Sequence, residues 1–211
     1  MTTETTGVPA TPEQPVEERP ARDHSTLSGI VGARATALQS GYLRNVSSSV
    51  AALAQLRRAV GKEPGSVPEI LVHTLHPVFA RGARSDEPTH DEIAAHHCLT
   101  LFALHQQSQA QWMHKRGVRL GAAMRQLVSP DSPPDNPVLR RFAMLSTADS
   151  PQELVHHLRG VAQLLRGRRI PLDYGQLAQD LSDWQRGGDR RTRVVLAWGR
   201  GFHFVTTTDQ A

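Results

Sequence analysis

SSSVAALAQLRRAVGKEPG, residues 47–65, is the stretch whose reading decides the fold. Its serines are helix-capping residues, and a run of Ala, Leu and Val follows that favours a compact helix. Gly61 ends that run, and Pro64-Gly65 closes a turn. Val50, Leu53, Leu56 and Val60 recur as one apolar stripe at helical spacing. Arg58 and Lys62 flank the stripe, whereas Arg57 falls near its centre. A cation on an apolar face must reach water along its stem or find a partner, because an unpaired buried charge is costly. Arg57 therefore reads either as a structural salt-bridge residue or, with Arg58 and Lys62, as charge offered to a polyanion.

Outward from this helix the same period repeats. Upstream, residues 25–45 form a helix with Ile30, Ala33, Ala37 and Leu38 on its apolar face. Downstream, a short helix lies between Pro68 and Pro77, and a polar loop over residues 81–88 leads to a long helix over residues 89–114. Gly117 breaks the chain, and a helix over residues 118–128 follows. The run SPDSPPDNP, residues 129–137, is a loop whose end starts a helix over residues 137–145. Ser150-Pro151 opens another helix to about Arg166, and the last two cover residues 174–185 and 189–202, separated by Gly187-Gly188. Residues 203–205 read as a short extended end. No segment shows strand alternation between turn signals. The expected fold is all-α, eight or nine helices in two packed bundles, residues 25–116 and 117–205. The flanks, 1–24 and 206–211, read as a disordered acidic, Pro-rich tail and a short terminal tail.

The chain has 211 residues and a formal net charge of +4, unevenly spread. Residues 1–24 hold five acids against two arginines, so residues 25–211 carry +7 from 22 basic and 15 acidic side chains. Arginine, whose planar fork suits phosphate oxygens, supplies all but Lys62 and Lys115 of the positive charge. Cys98 is the only cysteine, which excludes an internal disulfide and suits a reducing cytoplasm. No signal peptide and no apolar run of membrane-spanning length is expected.

On the expected helices the arginines fall in stripes. Arg190, Arg193 and Arg200 lie opposite Val194, Val195, Trp198 and Phe202, with Arg191 on the apolar side. Arg119 and Arg125 flank the leucines after Gly117; Arg140 points away from Val138, Phe142 and Leu145, and Arg141 flanks them. A charged face is ordinary for a solvated helix. Several basic faces with few intervening acids favour a shared groove that tracks phosphates without reading bases. The ten aromatics sit mostly on apolar stripes, so no array of stacking rings marks a sequence-specific single-strand reader.

Eleven histidines raise the question of metal or acid–base chemistry. His90-Asp91 is half of a metal-dependent phosphohydrolase pattern, and His96, His97 and Cys98 are conceivable ligands. His73 and His76 share a helix face but have no third ligand nearby, and adjacent His96 and His97 diverge by about 100° on a helix. HExxH, GxxxxGK[ST], GxSxG and CxxC patterns are absent. Tyr174, Asp180 and Asp183 present no acid–base pairing that spacing alone establishes. The reading is a protein without enzyme activity.

Two strings at opposite ends carry a resemblance. QSGYLRNVSSSVAALAQLRRAVGKEPGSVPE, residues 39–69, resembles the N-terminal signature of the CasB family, the small subunit of the type I-E CRISPR surveillance complex Cascade. LDYGQLAQDLSDWQ and VVLAWGRGFH, residues 172–185 and 194–203, resemble that family's closing "DL..W" and "W.r.F" segments. GVRLGAAMRQL and RRFAMLSTADSPQELVHHLRGVAQLLR lie between them in the expected order, and the resemblance spans residues 27–204. Val194, Val195 and Leu196 stand where the family often has consecutive arginines, which reduces the charge expected there. The resemblance implies an all-helical, non-catalytic subunit, present in two copies and using no cofactor. Its implied partners are crRNA, the target and non-target DNA strands of the R-loop, the large subunit and the backbone subunits. It implies nucleic-acid binding without sequence preference, which stabilises the R-loop and the displaced strand.

The candidate contact residues are Arg57, Arg58, Arg119, Arg125, Arg140, Arg141, Arg193 and Arg200, followed by Arg44, Lys62, Lys115, Arg168 and Arg169. Three alternatives stand beside this reading: a purely scaffolding subunit, an HD-type metal phosphohydrolase, and a basic helix-turn-helix regulator, for which no recognition helix is evident.

Overall fold

The structure, a computed structural model, describes residues 25–129 and 136–204. The expected terminal tails and most of the 129–137 loop lie outside these residues. Among them are nine α-helices and one 3-10 turn: α1 (Leu27–Leu43), α2 (Ser47–Arg58), the turn Pro68–Ile70, α3 (Leu71–Thr74), α4 (His90–Gln106), α5 (Leu120–Arg125), α6 (Pro137–Thr147), α7 (Pro151–Arg168), α8 (Tyr174–Gln185) and α9 (Gly188–His203). The described residues contain no strand; His114 and Leu172 form one isolated bridge.

The helices begin where side chains can satisfy their first amide groups. Thr26 caps α1 by accepting the Gly29 N–H. Thr89 and Glu92 close a reciprocal capping box on α4. Ser150 accepts the Glu153 N–H, and Asp173 the Gln176 N–H, at the starts of α7 and α8. The serine cap expected on α2 does not form; Val46 stands at the cap position without a side-chain bond.

Packing is organised about α8, which lies against both α1 and α4, while α5 crosses α9 and α6 rests on α7. Leu53, Leu56, Leu99, Phe102, Leu158, Leu165, Tyr174 and Trp198 belong to one continuous buried cluster spanning both sides of Gly117. Tyr174 meets Phe102 edge-on at 5.4 Å, and Phe142 stacks on Phe202 at 4.4 Å. Two helix crossings are close enough to demand glycine. A Cβ on Gly121 would collide with the Trp198 carbonyl, and one on Gly175 would come within 2.5 Å of the Ser28 carbonyl.

Three expectations need correction. The long helix over residues 89–114 stops at Gln106, because the buried Gln106 side chain folds the following chain around itself. Its amide donates to the Gln109 and Gln111 carbonyls and its oxygen accepts the Met113 N–H, while Ser108 turns at φ 58°. The helix after Gly117 is shorter, with only residues 120–125 α-helical. Residues 203–204 are not extended in the manner expected: His203 completes α9, and only Phe204 has extended backbone.

Candidate nucleic-acid interface

Two packed helices build the most cationic hollow described here. Phe142 and Leu145 anchor α6 in the core, and Leu154, Leu158, Val161 and Leu165 anchor α7. Arg141 and Met144 of α6 thereby line a hollow of about 410 Å³ with His156, His157, Arg159, Gly160 and Gln163 of α7. Gly160 leaves room for the Arg141 guanidinium, which would lie 3.0 Å from a Cβ there. An adjoining hollow of about 240 Å³ shares His156 and Arg159 and continues to Val60, Gly61 and Glu63 beyond the end of α2. Glu63 is the one carboxylate lining this track; Glu153 stands nearby, 3.5 Å from His157. Neither Arg141 nor Arg159 has an ion pair among the described residues.

A second cleft, about 450 Å³, lies where the start of α5 faces α8 and α9. Arg119, Arg190 and Arg193 line it together with Gln176, Asp180 and Asp183. Here charge is largely balanced. Arg190 sits 3.6 Å from Asp183, which also meets Arg186 at 3.4 Å. Asp180 accepts hydrogen bonds from Trp198 Nε1 and Gln176 Nε2, both at 2.8 Å. Burial raises its pKa, against the downward pull of these two bonds and of the Arg119 charge. A third hollow, about 550 Å³, has Lys115, Arg116 and Trp112 on its lining beside the first turns of α1.

The structure thus brings Arg119 and Arg193 into one cleft and places Arg141 in another and Lys115 in a third. Arg44, Arg57, Arg58, Lys62, Arg125, Arg140, Arg168, Arg169 and Arg200 line none of these hollows. Arg57 is half-buried and makes no ion pair among the described residues, so the expected salt bridge is not there. Arg44 and Arg58 fold back to donate to the Ser40 and Ala54 carbonyls of their own helices. Arg191, on the apolar side as expected, stacks 4.3 Å over Trp184 and donates to the Ala148 carbonyl.

Arg159 was not among the sequence candidates, although a signal for it exists. His156, Arg159 and Gln163 recur at i, i+3 and i+7, a polar stripe opposite the leucines of α7. Arg116 was likewise not a candidate, and Arg190, although read on the basic face of the last helix, was not one either. Arg190 meets Asp183 between two helices, and Arg116 shares its hollow with the first turns of α1, neither of which local spacing shows.

The residues weighed for catalysis have other engagements. The Asp91 carboxylate accepts from the Ser182 hydroxyl and from Arg186, the latter at 2.8 Å. Among the described residues no three His, Cys, Asp or Glu side chains gather around a common point. Tyr174 Oη lies 2.9 Å from His105 Nδ1 inside the core. Burial lowers the His97 and His105 pKa values to about 4, helped at His97 by the His96 charge and at His105 by Arg166.

The family model described as CRISPR-associated protein Cse2 matches residues 52–203. The fold is similar to a crystal structure of CasB from Thermobifida fusca, at 37% identity and TM-score 0.71, covering 84% of this chain and 98% of that one. It is also similar in fold to CasB from Thermus thermophilus, at 24% identity and TM-score 0.56, covering 82% of this chain and 97% of that one. Comparison with curated protein sequences yields no match. With most of its length matched, the chain belongs to the Cse2 (CasB) family of CRISPR-associated proteins.

Proposed function

We propose that this protein is the small, non-catalytic subunit of a type I-E CRISPR surveillance complex and holds nucleic acid without reading its sequence. Its task in this reading is to stabilise the R-loop, chiefly by gripping the displaced non-target strand. The observation that carries the proposal is the track from Arg141 across Arg159 to the end of α2, lined by unpaired guanidinium groups. A guanidinium without a carboxylate partner offers its full donor fork to phosphate oxygens. RNA-guided recognition leaves sequence to base pairing, so a protein of this kind needs only backbone contacts. Exchange of a DNA duplex for a heteroduplex is nearly balanced, and contacts of about 1 kcal/mol each suffice to tip it.

Reversing Arg141 and Arg159 to Glu together should shorten R-loop lifetime in the assembled complex by about tenfold or more, ~1.4 kcal/mol. Reversing Arg119 and Arg193 should do less, because Asp180 and Asp183 already offset charge in that cleft. Unchanged lifetime and salt dependence in the first variant would remove the α6–α7 track from the interface.

A scaffolding role has its own support. Val72 and Phe204 are 75% and 68% exposed, and Leu75 is also exposed, which suits contact with other subunits or a second copy. A pure scaffold would not bind single-stranded DNA at low salt, whereas the proposed function requires that it does.

A further inference from the structure

Trp112 combines two properties that ordinarily exclude each other. The residue is 51% exposed, yet the backbone on both sides of it is held by buried side chains. Gln106, fully buried, donates to the Gln111 carbonyl and accepts the Met113 N–H. Gln39, also fully buried, accepts the His114 N–H and donates to the His114 carbonyl, each at 2.9 Å. Leu172 then accepts the Lys115 N–H and donates to Met113. A half-exposed indole on so fixed a backbone is preorganised for contact.

The hollow beside it has few groups left for hydrogen bonding to a ligand. Asp173 accepts from Gly117 and Gln176, and the buried His114 ring accepts the Tyr174 N–H at Nδ1. Thr36 donates to the Gly32 carbonyl. Gly29, Gly32 and Ala33 form a smooth wall. What remains is a flat aromatic face, the Thr26 and Ser28 hydroxyls, and two exposed cations, Lys115 and Arg116, neither of them in an ion pair among the described residues. Stacking combined with unpaired positive charge suits a planar base carried on phosphates, and two rotatable hydroxyls, able to donate or accept, impose no fixed pattern on base edges.

We infer that the Trp112 hollow receives one unstacked nucleobase of a single strand, with Lys115 and Arg116 on the adjoining phosphates. This rests on the nucleic-acid reading above and adds a base-contacting position, tolerant of base identity, to a backbone-tracking surface.

The test compares oligo(dT) with an abasic oligonucleotide of equal length, titrated into the full chain and followed by tryptophan emission. Trp184 and Trp198 are buried, so quenching by a stacked base reports Trp112. Oligo(dT) should quench, and the abasic strand should bind without quenching. W112A should weaken oligo(dT) binding about tenfold, and W112F by much less. Neither should change affinity for the abasic strand, whereas K115A with R116A should weaken both strands. If the native chain binds both strands alike without quenching and W112A changes nothing, the stacking site is overturned while the backbone reading stands. If neither strand binds, the nucleic-acid reading itself fails. If W112A leaves DNA binding intact but abolishes self-association by sedimentation, the ring belongs to a protein contact and the inference is overturned.

Discussion

At the scale of single residues, the strings that carry the family resemblance are largely core chemistry. Asp180, from the first closing segment, accepts the Trp198 indole N–H from the second, so the two halves of the signature hold each other. Phe202 stacks on Phe142, and Trp184 lies under Arg191. Three of the histidines, His96, His105 and His114, are buried, and the atoms His96 Nδ1, His97 Nδ1 and His105 Nε2 are enclosed without hydrogen-bond partners. Their burial predicts a pH dependence of stability. His97 and His105 have folded pKa values of about 4, below the ordinary value of 6.5, so between these limits the unfolded chain binds the extra protons. Stability should be greatest above pH 6.5 and decline as pH falls towards 4, by about 1.4 kcal/mol per pH unit for each histidine. Urea unfolding at pH 7 and pH 5 checks this. Gln at both positions should flatten the slope, after allowing for its own cost.

At the scale of elements, apolar periodicity located every helix, and α8 begins and ends as read from spacing alone. The largest error falls where a side chain, not a breaker residue, ends the helix. QQSQAQ, residues 106–111, contains no Pro or Gly, and its turn exists because buried Gln106 captures three backbone groups. Helix crossings were equally hidden. Gly121 reads as an ordinary glycine near a helix start, yet α9 passes so close that a Cβ there would lie 2.9 Å from the Phe202 nitrogen. Gly121→Ala should therefore destabilise the fold by about 1–3 kcal/mol or more, as overpacking against immovable backbone does. Gly167→Ala meets nothing within 4 Å inside α7 and should be neutral or slightly stabilising. Chemical denaturation of the two variants tests the contrast.

At the scale of the whole molecule, the question is whether scattered guanidinium groups meet. Some do: Arg141 with Arg159, and Arg119 with Arg190 and Arg193, although two aspartates share the second cleft. If the α6–α7 track holds a single strand, Arg141→Gln and Arg159→Gln should each reduce the slope of log affinity against log salt by about 0.7. Filter binding across a salt series measures it, and an unchanged slope would place both side chains off the strand. The divide between what could and could not be read follows from the range of the forces involved. Helix positions, the all-α class, the basic excess and the family signature were legible from the sequence, because propensity, apolar period and composition act between near neighbours along the chain. Only tertiary structure decided that Arg159 joins Arg141, that Asp183 and Asp180 temper Arg190 and Arg119, and that Trp112 stays exposed on a backbone pinned by Gln39 and Gln106. Those outcomes depend on which helix faces meet, and charge pairing between residues far apart in sequence exists only after the core has chosen those faces.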